Sequence, residues 1–309
     1  MNDPIAIIGG GSIGLLLCAH FARAGLPVTL LCRTPEQAAA IRAAGITVEP
    51  GNGRDPWTVR PEADVMGALS RPFPWVVLAV KTPDVAGVLS AWPARLGSEA
   101  VVAVENGLAA ARQVFSAFGP DRATVAITRL GATRLDPARV RQAGQGDTLI
   151  GALDLQAQAR LGTVAGWFRA AALPVHVTAD GLQALWWKTI LNAAINPLAS
   201  VLGVTNGQLL EQAEWHWLLR AVVEEAVAAA GGEGIVLEAE QVFLDVLDTL
   251  RETAANRCSM LVDVESRRPT ELDAITGAVL AAADRAHLAA DANRALYHLV
   301  RARVAAPGP

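Results

Sequence analysis

The sequence predicts an α/β protein in two parts, a doubly wound sheet followed by an all-α half, and three observations predict it. "IAIIGGGSIGLLLCAHFARAG" reads as a short apolar strand, a glycine turn and an amphipathic helix. Apolar strand-like runs then recur between helical stretches as far as "LPVHVTAD". From about Asp180 the strand signals stop and helical periods fill the remainder. A chain of 309 residues accommodates two domains with separate cores, expected at 1–179 and 180–309.

Taken in order, Gly9, Gly11 and Gly14 spell G-x-G-x-x-G between the first strand and the first helix. The first glycine makes the tight turn, the second lets the backbone approach a pyrophosphate, and the third lets helix and strand pack closely. The helix N-terminus then offers free N–H groups to the phosphates, which makes this half a Rossmann-type dinucleotide-binding domain. "PVTLLCR" is the second strand, and its end selects the cofactor. An acidic residue there would bind a ribose 2′-hydroxyl and repel a 2′-phosphate, whereas this chain has Cys32, Arg33 and Thr34. The expected cofactor is therefore NADP(H). Arg33 read only as a solvated loop cation, with Glu36 as a competing acid, is the alternative.

Further on, "WVVLAVKTPDV" is a strand over 75–80 ending at Lys81, and "AVVAVENGLAAAR" is another ending at Asn106 and Gly107. Ligands collect at the carboxyl ends of such strands, so both side chains are candidates, although Asn before Gly is also an ordinary turn pair. "ATVAITRLGAT" and "GDTLIGAL" read as the sheet's last strands, with "LPVHVTAD" as an edge strand.

The second half reads as helices over 182–200, 208–231, 238–267 and 271–304, broken near Gly203, Gly231 to Gly234 and Pro269. In "WWKTILNAAINPL", Lys188, Asn192 and Asn196 recur every four residues. That spacing keeps them on one face over roughly 12 Å of helix. Apolar neighbours surround the stripe, so its polar groups need partners, either structural ones or a ligand. Asn256, Ser259 and Asp263 fall on one face of the third helix, and Thr270 is the expected N-cap that places Glu271 at a helix N-terminus.

Composition excludes other classes. A net charge of −4 gives no electrostatic footprint for nucleic acid. The mean hydropathy of +0.32 is high, yet no uninterrupted apolar run reaches the ~18 residues of a membrane span. The start "MNDPIAIIGGG" lacks a basic region and a signal-length apolar run, so a cytoplasmic location is expected. Cys18, Cys32 and Cys258 form no CxxC pair, and the five histidines form no ligand cluster, so neither disulfide nor metal is expected. The expected partner is a small molecule. The long apolar helices could bury a homodimer surface or only their own core.

Taken together, "IIGGGSIG", "VKT", "ENG", "AGQGDTLIG", "WWKTILNAAINPL" and "CSMLVDVESRRPTELDAITG" resemble the ketopantoate reductase family over nearly the whole chain. The most specific part is K-x-x-x-N-x-x-x-N-P-L followed by S-M-x-x-D and R-x-T-E-x-D. Related 6-phosphogluconate-type dehydrogenases share the glycine motif and the K-x-x-x-N helix, which implies a helical domain of that type, but not the last block. The resemblance implies NADPH along Gly9, Gly11, Ser12, Ile13 and Gly14, with Arg33 near its 2′-phosphate and Lys81 and Asn106 flanking the nicotinamide end. It implies reduction of a 2-oxo acid, ketopantoate to pantoate in pantothenate biosynthesis, with Lys188 as general acid on the ketone oxygen. Burial would lower the Lys188 ammonium pKa towards working pH, and a carboxylate such as Glu271 would hold it up. The family's pattern further implies Glu271 on the substrate hydroxyl, Asn192 and Asn196 as further substrate hydrogen bonds, Ser259 on the substrate carboxylate, and Asn256 on cofactor or substrate; Asp263 reads as structural. Three departures stand out: Glu105 where a neutral residue is usual, Cys258 where many members have Ser, and "HLAADAN" without the usual Pro. The rivals are a dehydrogenase of this architecture for another small oxo or hydroxy acid and a non-catalytic NADP(H) sensor. The sensor would need the glycine turn but no general acid.

Overall fold

Ile5–Ile8 (β1) buries all four side chains because the strand is covered on both faces. Strand alternation sends Ile5 and Ile7 into one core and Ala6 and Ile8 into the other. The computed structural model describes all residues except 1–2, 52, 69–70, 93–95, 97–99, 105–106, 145 and 306–309. Two compact units divide the chain: 1–105 with 110–184, and 106–109 with 185–309.

In the first unit β1 is followed by α1 (Ser12–Arg23), β2 (Val28–Cys32), α2 (Pro35–Ala44), β3 (Ile46–Pro50), β4 (Trp57–Val59), β5 (Glu62–Val65) and β6 (Trp75–Leu78). Then come α3 (Thr82–Ser90), β7 (Ala100–Ala103), α4 (Leu108–Phe118), β8 (Ala123–Thr128), β9 (Gly131–Asp136), β10 (Arg139–Gly144), β11 (Thr148–Ala152), α5 (Leu155–Ala170) and β12 (Val175–Thr178). The main sheet runs β12-β11-β8-β7-β6-β1-β2-β5, parallel except where β11 meets β8. One face packs residues of α1 and α5, including Leu15, Phe21, Trp167 and Phe168; the other packs Val85 of α3 and Val114 of α4. The sheet is thus doubly wound, with "GDTLIGAL" as β11 and "LPVHVTAD" at the edge as β12.

A second sheet, β4-β3-β10-β9, is absent from the sequence reading. The "GAT" of "ATVAITRLGAT" belongs to it as the start of β9 and does not extend the main sheet. Its strands cover the other flank of α1, whose residues from Gly14 to Ala19 are all buried. The expected amphipathic helix is therefore a sandwiched one. Burying each of Leu15, Leu16 and Leu17 contributes roughly 2 kcal/mol, so the core between the two sheets depends on this helix.

The second unit holds most of α6 (Gly181–Leu202), then α7 (Ala213–Gly231), α8 (Ala239–Glu252), α9 (Ser259–Glu265), α10 (Leu272–Arg285) and α11 (Asp291–Ala305). Small residues such as Ala226 and Ala230 on α7 and Ala282 and Ala283 on α10 are fully buried, which lets packed helices approach closely. Two expected helices are each broken in two. The 238–267 segment opens at Thr253 because the carbonyls of Ala254 and Asn256 accept the N–H groups of Gly207 and Asn206, both at 2.9 Å. The 271–304 segment ends its first helix at His287, which takes the left-handed conformation (φ 55°) while Leu288 N–H bonds back to Ala283 O. Among the described residues no helix is long and apolar enough to cross a membrane.

Candidate active site

Three candidate positions of the first unit, the glycine turn, Arg33 and Lys81, meet at one edge because the parallel register puts the carboxyl ends of β1, β2 and β6 side by side. Ile8 pairs with Leu31 and Leu78, Gly9 N–H bonds to Leu31 O at 3.0 Å, and Ala79 N–H bonds to Ile8 O at 2.8 Å. The turn after β1, Arg33 after β2 and Lys81 after β6 follow directly from these pairings.

The glycine turn fits a dinucleotide. Gly9 has φ +115°, and a Cβ there would lie 2.4 Å from Ala79 O. A Cβ on Gly14 would lie 1.8 Å from Gly9 O, so helix and turn are in contact through a missing side chain. Gly11 differs: a Cβ there meets nothing within 4 Å, so its bare backbone faces open space. Gly11 is also the N-cap of α1, has no side-chain cap, and leads a first turn without an acidic residue. The positive end of the helix is thus left for an anion. Ile13 packs on the core, which leaves Ser12 as the polar side chain of the turn.

Two residues unnoticed in the sequence hold this turn. Gln37 donates from Nε2 to the carbonyls of Gly10 (2.8 Å) and Pro137 (3.0 Å). Arg134 of β9 donates from its guanidinium to Gly10 O at 3.1 Å, and its backbone N–H donates to Ser12 Oγ at 3.0 Å. The Ser12 hydroxyl accepts from Arg134, which frees its own proton for another acceptor. The guanidinium brings a permanent positive charge to the mouth of the turn. No local pattern marks Arg134, since it is one arginine among several in a polar hairpin.

Arg33 is exposed just beyond β2 and pairs with Asp84, in the first turn of α3. Thr34, next in sequence, caps α2 by accepting from Gln37 N–H at 3.3 Å. Burial pushes the Cys32 thiol up to about 11 from its ordinary 9.0, so no thiolate opposes an anion at Arg33 near neutral pH. Lys81 is the exposed N-cap of α3. Asn106 and Glu105 lie outside the described residues.

In the second unit, Lys188, Asn192 and Asn196 fall on α6 as a stripe of increasing burial: the first two are half-buried and Asn196 is buried. Thr189, Ile190, Leu191, Ala193 and Ala194 beside it are fully buried. Asn196 is joined to the start of α9: the Cys258 thiol donates to Asn196 O at 3.7 Å and lies 3.9 Å from Ser200 Oγ. Cys258 is the N-cap of α9 and accepts from Leu261 N–H at 3.4 Å, so the residue that departs from Ser keeps the capping role. Burial raises its pKa and keeps it a neutral donor. Ser259 therefore follows directly from a residue fastened to the stripe, and it is exposed.

Asn256 is a correction. It precedes α9 in the turn that bonds to Asn206, and so does not share a helical face with Ser259 and Asp263. Asp263 is buried and accepts from Arg268 Nε at 2.8 Å, a structural pairing that ends α9. The cap of α10 is a second correction. Glu271 itself is the N-cap, with φ −91° and ψ 19°, and Thr270 lies one residue outside. Its side chain makes no capping bond and is half-buried at the positive end of the helix. Gly107 (φ +94°) belongs to the same unit, and a Cβ on it would sit 2.6 Å from Ala274 O in the first turn of α10.

Comparison with known proteins bears on both units. Residues 5–154 match the family model "Ketopantoate reductase PanE/ApbA", and 180–304 match "Ketopantoate reductase PanE/ApbA C terminal". The 2-dehydropantoate 2-reductase of Halobacterium salinarum is 31% identical over 96% of this chain and 97% of its own. That of Bacillus subtilis is also 31% identical, over 96% of each. A solved structure of the probable Bacillus subtilis 2-dehydropantoate 2-reductase superposes with a TM-score of 0.83 at 30% identity, covering 97% of this chain and 99% of the other. D-mandelate dehydrogenase, solved with NADH and anilino(oxo)acetate, gives 0.87 at 20% identity over 97% and 98%, a likeness of fold.

Proposed function

The chain belongs to the ketopantoate reductase family and is an oxidoreductase, and on that premise we propose that it reduces ketopantoate to pantoate with NADPH. The observation that carries the cofactor reading is the uncapped, bare-backbone N-terminus of α1 beside an arginine, with no acid, at the end of β2. Gly11 admits the pyrophosphate, the Ser12 hydroxyl donates to it, Arg134 adds positive charge, and Arg33 takes the 2′-phosphate. The bound nicotinamide supplies hydride to the 2-oxo carbon.

The chain's own chemistry is assigned to the second unit. Lys188 donates a hydrogen bond to the ketone oxygen and gives it a proton as negative charge develops there. Asn192 and Asn196 extend that bonding along one face of α6, which orients the acid. Ser259 donates to the substrate carboxylate, and Glu271 accepts from the substrate hydroxyl. This assignment rests on the stripe: two half-buried side chains and one buried asparagine, at intervals of four within an apolar helix.

The test is loss of NADPH absorbance with purified protein and ketopantoate, beside pyruvate, 2-oxoisovalerate and oxaloacetate. Efficient turnover of ketopantoate alone is expected. Turnover of another 2-oxo acid in its place would move the reaction to a different substrate, and NADPH binding without turnover of any acid would support a sensor.

A further inference from the structure

We propose that Asp84 sets how strongly this protein distinguishes NADPH from NADH, by competing with the 2′-phosphate for Arg33. The inference rests on the reading that Arg33 receives that phosphate. The first observation is the ion pair itself: the Arg33 guanidinium is joined to the Asp84 carboxylate, with the two side chains 70% and 41% exposed. The second is where the pair lies. Arg33 follows β2 and Asp84 opens α3 after β6, so the pair flanks the glycine turn on the edge where the sheet gathers ligands.

The second strand of a dinucleotide-binding sheet that selects the unphosphorylated cofactor ends in an acid. Here that acid is missing from the strand end, and Asp84 supplies a carboxylate at the same edge from a different element. A 2′-phosphate seats on Arg33 only by displacing Asp84, which then remains close by as a like charge. A ribose 2′-hydroxyl instead donates a hydrogen bond to the carboxylate and leaves the ion pair in place. Other charged groups near this edge are Lys81, the N-cap of α3, Glu36 in the first turn of α2, and Arg134, which is held on the Gly10 carbonyl. The carboxylate paired with Arg33 is that of Asp84.

The experiment is calorimetric titration of the full chain with 2′,5′-ADP and with 5′-AMP, which differ only in the 2′-phosphate. Asp84→Asn is expected to tighten 2′,5′-ADP by about threefold to tenfold and to leave 5′-AMP unchanged or slightly weaker. Asp84→Glu should keep the original ratio. Arg33→Gln should lose 2′,5′-ADP selectively, and adding Asp84→Asn to it should restore nothing. If Asp84→Asn moves both ligands together, Asp84 is merely structural and the proposal fails. If Arg33→Gln is selective while Asp84→Asn leaves the ratio alone, the Arg33 reading survives and Asp84 drops out. If Arg33→Gln leaves the ratio unchanged, the 2′-phosphate reading itself falls and takes the proposal with it.

Discussion

Two alanine substitutions in one turn should have opposite consequences. In Gly14→Ala the new Cβ would sit 1.8 Å from Gly9 O, roughly 1.6 Å short of ordinary contact at 3.4 Å. The obstacle is backbone, and Gly9 is itself bonded to Leu31, so relief requires moving α1 away from β1. Overpacking of flexible side chains costs about 1–3 kcal/mol, and displacing a helix sandwiched between two sheets should cost at least the upper figure. In Gly11→Ala the Cβ meets nothing, and φ −77° with ψ −172° suits any residue. Alanine should stabilise the fold there by up to about 1 kcal/mol through the unfolded chain. Its methyl nevertheless covers the backbone that a pyrophosphate must approach, so NADPH affinity should fall at least tenfold, about 1.4 kcal/mol. Urea unfolding followed by circular dichroism and calorimetric titration with NADPH measure both. A Gly11→Ala protein that binds NADPH as the wild type does, or a Gly14→Ala protein with an unchanged unfolding midpoint, would refute the packing argument.

Other expectations follow from the same geometry. Lys188→Ala should lower turnover by a factor of about 10² to 10⁴ with NADPH binding nearly intact; steady-state rates and titration separate the two, and unchanged turnover removes Lys188 from the chemistry. Arg134→Gln should weaken 2′,5′-ADP and 5′-AMP alike by about threefold to tenfold, in contrast to the selective loss at Arg33, because its charge lies at the turn common to both. Cys32 should make stability depend on alkaline pH. Its folded pKa is raised, so its contribution is whole below pH 9.0 and is lost between there and about 11 as the unfolded thiol ionises first. The loss is on the order of 2 kcal/mol, read as wild type against Cys32→Ala in urea at about pH 8 and about pH 10.5. Equal losses in both proteins would contradict it.

The main sheet and the glycine turn were legible because their signals are local. A continuous apolar run at β1 and three glycines at fixed spacing require no knowledge of the rest of the chain. The second sheet was not legible. β9 exposes Thr133, Arg134 and Leu135, so it lacks an apolar face of strand length, and β10 finds its parallel partner β3 some ninety residues upstream. Helix breaks at Thr253 and His287 carry neither Gly nor Pro, because the first is made by bonds to Asn206 and Gly207 and the second by a histidine in a glycine-like conformation. On α6 the periodicity located Lys188, Asn192 and Asn196 without help. Arg134, Gln37 and Asp84 escaped notice since each acts through a partner far away in sequence.

The Gly10 carbonyl, held by Gln37 and Arg134, has a bearing on how the protein is made. A ribosome delivers the turn well before the hairpin that steadies it, which follows only after most of the parallel strands have emerged. The nascent chain at that stage therefore carries the recognisable motif while lacking the brace that shapes it. Capture of the dinucleotide becomes a late event in synthesis, and a fragment cut before β9 should recover the motif but not the grip.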